Sequence, residues 1–152
     1  SACMKWVNEL GVGPFFLTDY TPGTFEQITY RGKPSDLSMK VAIAQAGNVQ
    51  IELIEPATDQ CAYRDSVPKG QMAFHHMCVW TLDFEADLKY MESLNYAAAN
   101  TGKVGGIEFA YFDTRPLMGC MLEVVTKNEG TVARFAEIAE TARNWNGKDP
   151  IR

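Results

Sequence analysis

Phe74-His75-His76-Met77-Cys78-Val79-Trp80 carries both histidines of the chain, side by side in a run of strand-forming residues. In an extended strand neighbouring side chains point to opposite faces, so only one of the two can look into a given cavity. Two other runs are built to meet this one. Val49-Gln50-Ile51-Glu52-Leu53-Ile54-Glu55-Pro56 and Met121-Leu122-Glu123-Val124-Val125 are short and apolar, with a carboxylate at the centre of each. A carboxylate in such a run is costly to bury unless a cation or a hydrogen-bond donor neutralises it.

Pleat alternation sorts the three runs. Gln50, Glu52 and Ile54 share one face, opposite Ile51 and Leu53. Met121, Glu123 and Val125 share one face, opposite Leu122 and Val124. Phe74, His76, Cys78 and Trp80 go together, opposite His75, Met77 and Val79. If the aliphatic faces pack under helices, Glu52, His76 and Glu123 turn into one concavity. One imidazole and two carboxylates suit a divalent cation of borderline hardness, with coordination positions left for water or substrate. Trp80, Phe109, Tyr111 and Met121 are candidates to line a ligand cavity there, although core packing is the simpler reading of any one of them. His75 reads as structural or exposed.

Outward from these strands the chain alternates elements. Cys3, Trp6, Val7 and Leu10 mark one helical face, closed by Gly11. Strands are expected from Phe15, over Phe25–Tyr30, over Leu37–Gln45 and over 49–55, the last two forming a hairpin through Ala46-Gly47-Asn48. The polar stretch 57–70, punctuated by Pro68 and Gly70, reads as a linker. After the histidine strand, Asp83 caps a helix carrying Phe84, Leu88, Met91 and Leu94. Residues 95–106 read as a loop, or at most a strand, before strands at Ile107–Phe112 and Cys120–Thr126. An amphipathic helix with Val132, Phe135, Ala139 and Ala142 on one face closes the chain. The expected organisation is therefore 1–56 as one module, 57–70 as linker, 71–126 as a second module, and 127–152 as C-terminal helix and tail.

Composition narrows the function classes. The 152 residues have a 46% hydrophobic fraction, enough for a real core, and a net charge of −5. No basic run exists to grip a phosphate backbone, so nucleic acid is not an expected partner. No apolar run approaches the roughly 18 residues that span a bilayer, and none reads as a signal peptide. Cys3, Cys61, Cys78 and Cys120 show no paired spacing, which fits free thiols in a reducing, cytoplasmic setting.

The order of elements, with Trp6-Val7-Asn8-Glu9-Leu10-Gly11-Val12-Gly13-Pro14-Phe15, Val49–Pro56, His75-His76-Met77 and Leu122-Glu123-Val124, resembles the vicinal oxygen chelate superfamily, the glyoxalase-like fold. Within it the branch containing methylmalonyl-CoA epimerase is the most similar. The resemblance covers the chain to about Thr126. It implies an α+β fold of paired βαβββ modules, whose curved, partly open mixed sheet surrounds a central cavity. It implies that Glu52, His76 and Glu123 occupy ligand positions for a divalent metal (Zn, Ni, Co, Mn or Mg). The first strand of module one, which would carry a fourth ligand, is missing, so the chain starts within the helix that follows it. A homodimer is expected, because an open sheet edge invites association.

Two functions follow. One is a metal-dependent isomerase, epimerase or lyase acting on a small carbonyl-containing substrate through an enolate, with Glu123 or Glu52 as the base. The other is a non-catalytic small-molecule-binding module of the same fold, of the drug-binding type, with no metal. A chain that folds but has lost activity is a third expectation.

Overall fold

The computed structural model describes residues 1–152. Helices α1 (Ala2–Leu10), α2 (Ala62–Ser66), α3 (Phe84–Ser93), α4 (Arg115–Met118) and α5 (Glu129–Arg143) alternate with nine strands. These are β1 (Phe16–Tyr20), β2 (Glu26–Tyr30), β3 (Lys33–Pro34), β4 (Met39–Ala46), β5 (Val49–Pro56), β6 (His76–Thr81), β7 (Ala98–Val104), β8 (Ile107–Phe112) and β9 (Met121–Thr126). They form two open sheets, β1-β4-β5 and β3-β2-β7-β8-β9-β6. The fold class is mixed α+β.

The chain divides into two compact units. The first holds Ser1–Tyr20, Met39–Ala57 and Glu129–Arg152; the second holds Thr21–Ser38 and Thr58–Asn128.

In the first unit all three strands run antiparallel, and β4–β5 is the expected hairpin, with Ile43 opposite Glu52. Ser1 caps α1 by accepting from the Met4 amide at 3.4 Å, and Gly11 ends it at φ 66°, a left-handed conformation that costs glycine little. The helix lays Cys3, Trp6 and Val7 on a core of Phe15, Ala42 and Ala44. Ala42 and Ala44 are small because this helix and the Phe15 ring fill the space above them. Leu10, expected on the same face, is exposed. Helix α5 packs on β4. The tail runs beside β1: Phe15 and Leu17 donate their amides to the carbonyls of Pro150 and Arg152, both at 2.8 Å. That contact satisfies part of the outer edge of β1.

In the second unit β6 and β9 pair in parallel, with His76 opposite Met121 and Cys78 opposite Glu123. The other pairs are antiparallel. Asp83 caps α3 by accepting from the Ala86 amide at 3.0 Å. Phe84, Leu88 and Met91 of that helix cover Ala110, Phe112 and Val124. One face of β8 and β9 is thereby sealed, and Phe109, Tyr111, Met121 and Glu123 are committed to the other.

Three readings of the sequence need correction. Residues 95–106 are not a loop, since Ala98–Val104 form β7 at the heart of the six-stranded sheet. Small residues carry no hydrophobic alternation there, because their partners supply the bulk. A Cβ on Gly102 would lie 2.7 Å from Phe109 Cζ and 2.9 Å from Ile28 Cδ1. Strand β2, expected within the 1–56 module, joins β7 in the second unit. The stretch 57–70 contains α2, with Cys61, Ala62 and Tyr63 buried. Gly102→Ala is expected to lower stability by about 1–3 kcal/mol, since Phe109 and Ile28 must both move. Urea unfolding of the variant measures this.

One end of the six-stranded sheet is tied by charge. Arg115 grips Asp113 with two parallel bonds, Nε to Oδ1 and Nη2 to Oδ2, both 2.7 Å. Arg31 adds a contact to Asp113 at 3.2 Å and reaches Asp65 at 2.7 Å. The Arg115 hydrogen bonds, with Arg31 behind them, hold the Asp113 carboxyl down to about 2, against an ordinary 3.8. A depressed carboxyl stabilises the fold above its unfolded value and loses that contribution as the pH falls through the folded one. The stability advantage of wild type over Asp113→Asn is expected to shrink between pH values of about 4 and 2, which chemical unfolding along a pH series reads directly.

Candidate metal centre

The second unit gathers most of the residues singled out in the sequence. His76 opens β6 and Glu123 sits mid-β9, and the His76 Nε2 lies 3.3 Å from the Glu123 Oε2. Their side chains are 9% and 11% exposed, so bulk water does little to screen the pair. Tyr111 stands directly across from Glu123 on β8, and its ring meets that of His76 edge-on at 5.1 Å. Phe109 follows on the same face, 6.1 Å from Tyr111, and packs against Phe25 at 5.5 Å. Met121 is fully buried.

Trp80 and Glu52 complete the expected set. Trp80 is 40% exposed, as are Met77 and Val79 to a greater degree, because β6 is an edge strand. Glu52 lies in β5 of the first unit, half-buried and opposite Ile43 of β4.

His75 is structural in its contacts. Its Nε2 is 3.0 Å from the Ala62 carbonyl and its Nδ1 is 3.0 Å from the Nδ1 of His76. Burial pushes its pKa below the ordinary value for histidine. Tyr63 packs on the His75 ring at 5.0 Å, and its hydroxyl bonds that of Tyr111 at 2.8 Å. Ala62 and Tyr63 were missed in the sequence reading. Their signal is the apolar trio Cys61-Ala62-Tyr63 inside an otherwise polar stretch.

The donors fit a divalent cation. Glu123 brings a charge into a face built from Met121, Phe109 and Tyr111, and imidazole plus carboxylate is a common ligand combination for borderline cations.

A family model described as the glyoxalase/bleomycin resistance protein/dioxygenase superfamily matches residues 1–111. The chain belongs to the vicinal oxygen chelate superfamily. The superfamily match includes Glu52 and His76 and stops short of Glu123. Solved structures agree on the fold. Methylmalonyl-CoA epimerase from Mycobacterium tuberculosis aligns with a TM-score of 0.55 at 12% identity, over 87% of this chain and 82% of that one. A hypothetical protein from Bacillus halodurans aligns with a TM-score of 0.52 at 19% identity, over 82% and 83%. No curated protein matches by sequence. No helix of the chain is long and apolar enough to cross a membrane.

Proposed function

We propose that this chain is a metal-dependent isomerase, epimerase or lyase that moves a proton at the carbon beside a carbonyl. The observation that carries this reading is the buried His76–Glu123 pair at 3.3 Å on an otherwise aromatic and apolar face. His76 and Glu123 would hold a divalent cation, with Glu52 as the third ligand that superfamily membership suggests. When bound, that ion would supply positive charge for the oxygens of an enolate.

The chain's own residues do the rest. Glu123 or Glu52 takes the proton from the carbon next to the carbonyl, a step that needs a carboxylate within hydrogen-bond reach. Phe109, Tyr111 and Met121 keep water from the reacting carbon, and the Tyr111 hydroxyl, already bonded to Tyr63, is positioned to orient a substrate oxygen. Trp80 lies farther out and would meet the remote part of a ligand. The substrate is a small carbonyl compound with an acidic α-hydrogen. The shared fold of the mycobacterial epimerase supports this reaction class.

The test is solvent exchange. The purified chain, loaded with Zn, Co, Ni, Mn or Mg, is incubated in deuterated water with a panel of 2-substituted acids, thioesters and ketones. Metal-dependent deuterium uptake at the α-carbon is the expected result. Ligand binding that ignores a chelator, with no exchange, would favour the metal-free binding module instead.

We also read the chain as a cytoplasmic homodimer. Cys3, Cys61, Cys78 and Cys120 are all free thiols, which supports a reducing compartment. Edge strand β6 exposes Met77, Val79 and Trp80 and carries no proline and no Lys, Arg, Asp or Glu to blunt its open side. Sedimentation analysis is expected to give twice the 16.9 kDa chain mass, and Val79→Lys to shift it to monomer.

A further inference from the structure

We propose that His75 is a positioning residue that keeps a hydrogen on the Nδ1 of His76, so that Nε2 is the nitrogen presented to a cation beside Glu123. The proposal deepens the metal reading above, but its first test needs no metal.

The geometry leaves little choice. A carbonyl oxygen accepts and never donates, so the 3.0 Å contact to Ala62 places a hydrogen on the His75 Nε2. At about pH 8 an imidazole of ordinary basicity is neutral. A neutral imidazole with hydrogen on Nε2 has a lone pair on Nδ1. That Nδ1 lies 3.0 Å from the Nδ1 of His76. Two lone pairs cannot face each other at that distance, so His76 Nδ1–H donates to His75. The hydrogen on the His76 Nδ1 is then committed, and the second nitrogen, Nε2, is the one aimed at Glu123, 3.3 Å from Oε2. Protonating His76 adds a hydrogen on Nε2 and leaves Nδ1–H in place, so both charge states keep the same donor order.

The end of this chain of bonds is anchored. Ala62 opens α2, and its amide donates to Asn100 Oδ1 at 2.6 Å. Tyr63 holds the His75 ring from the side while bonded to Tyr111. An acceptor fixed in this way sets the orientation of both imidazoles. Groups behind a metal-binding histidine that set its tautomer typically change metal affinity 10–100-fold.

The experiment uses the full chain with ¹⁵N-labelled histidine. Long-range proton–nitrogen correlation of the metal-free protein at about pH 8 reads both tautomers. The expected spectrum has hydrogen on Nδ1 of His76 and on Nε2 of His75. In His75→Leu, His76 is expected to become a tautomer mixture and zinc affinity to fall about 10–100-fold. In His75→Asn, whose Oδ1 can accept from His76, both are expected to be largely restored. A wild-type spectrum with hydrogen on the His76 Nε2 and none on Nδ1 would overturn the proposal. So would a His75→Leu protein with unchanged tautomer and unchanged affinity. If His75→Leu does not fold, the wild-type spectrum decides alone. A wild-type chain that takes up no metal would count against the function proposed above, and the nitrogen spectrum would still judge the role of His75.

Discussion

Glu123→Gln is expected to lose divalent-metal binding, with affinity falling more than about 100-fold, beyond the range typical of residues behind the ligands. The substitution keeps the shape of the side chain and removes its charge. Glu123 is buried in β9 among Met121, Phe109 and Tyr111, 3.3 Å from the His76 Nε2. A role in packing and a role in ligation therefore predict opposite signs. If Glu123 only completed a buried pair with a protonated His76, removing its charge would strand the imidazolium and cost stability in the metal-free protein. If it serves as a ligand, the metal-free variant is as stable as wild type or more so, because a neutral amide is cheaper to bury than a carboxylate. The loss then appears on adding metal. Wild type gains about 2.7 kcal/mol at a metal concentration 100 times its dissociation constant, and the variant gains almost nothing. Thermal unfolding with and without metal separates the two cases.

Asn100→Ala is expected to destabilise the second unit by about 2–5 kcal/mol. Asn100 is fully buried in β7. Its Nδ2 donates to the Thr29 carbonyl at 2.7 Å, and its Oδ1 accepts from the Ala62 amide at 2.6 Å. Truncation leaves the part-buried Thr29 carbonyl and the buried Ala62 amide without this partner, each costing about 1–3 kcal/mol. A fall in melting temperature of roughly 5–15 °C follows for a chain of this size. Differential scanning calorimetry measures it. The variant should also weaken metal binding, although Asn100 bonds neither His76 nor Glu123, because it fixes the helix whose first carbonyl receives His75. Asn100→Asp, which keeps an acceptor for the Ala62 amide, is expected to retain more of the metal affinity than of the stability.

These two residues mark what could and could not be read from the chain. Glu123 and its face were legible because β8 and β9 alternate cleanly. Ala110, Phe112 and Val124 go under α3, and Phe109, Tyr111 and Glu123 go to the opposite side. The β4–β5 hairpin and the Asp83 cap were legible for the same local reasons. Asn100 was not, because Ala98-Ala99-Asn100-Thr101-Gly102 shows no period. Its strand exists through its neighbours, with Phe109 and Ile28 filling the space above Gly102 and Asn100 bonded to two other elements. The path of β2 into the second unit is likewise a matter of partner choice, which alternation within Glu26–Tyr30 does not encode. Helix α2 is one short turn with no side-chain cap, so only its three buried residues could have betrayed it. The role of His75 became readable once Ala62 was placed beside it.

The proposed function rests on a divalent cation binding at His76 and Glu123. Calorimetric titration of the metal-stripped chain with zinc, with elemental analysis of the recovered protein, tests it most directly. The account predicts about one bound ion per chain in wild type and none in His76→Ala or Glu123→Gln. Wild-type protein that takes up no zinc, manganese, cobalt or nickel, or variants that bind as wild type does, would contradict it.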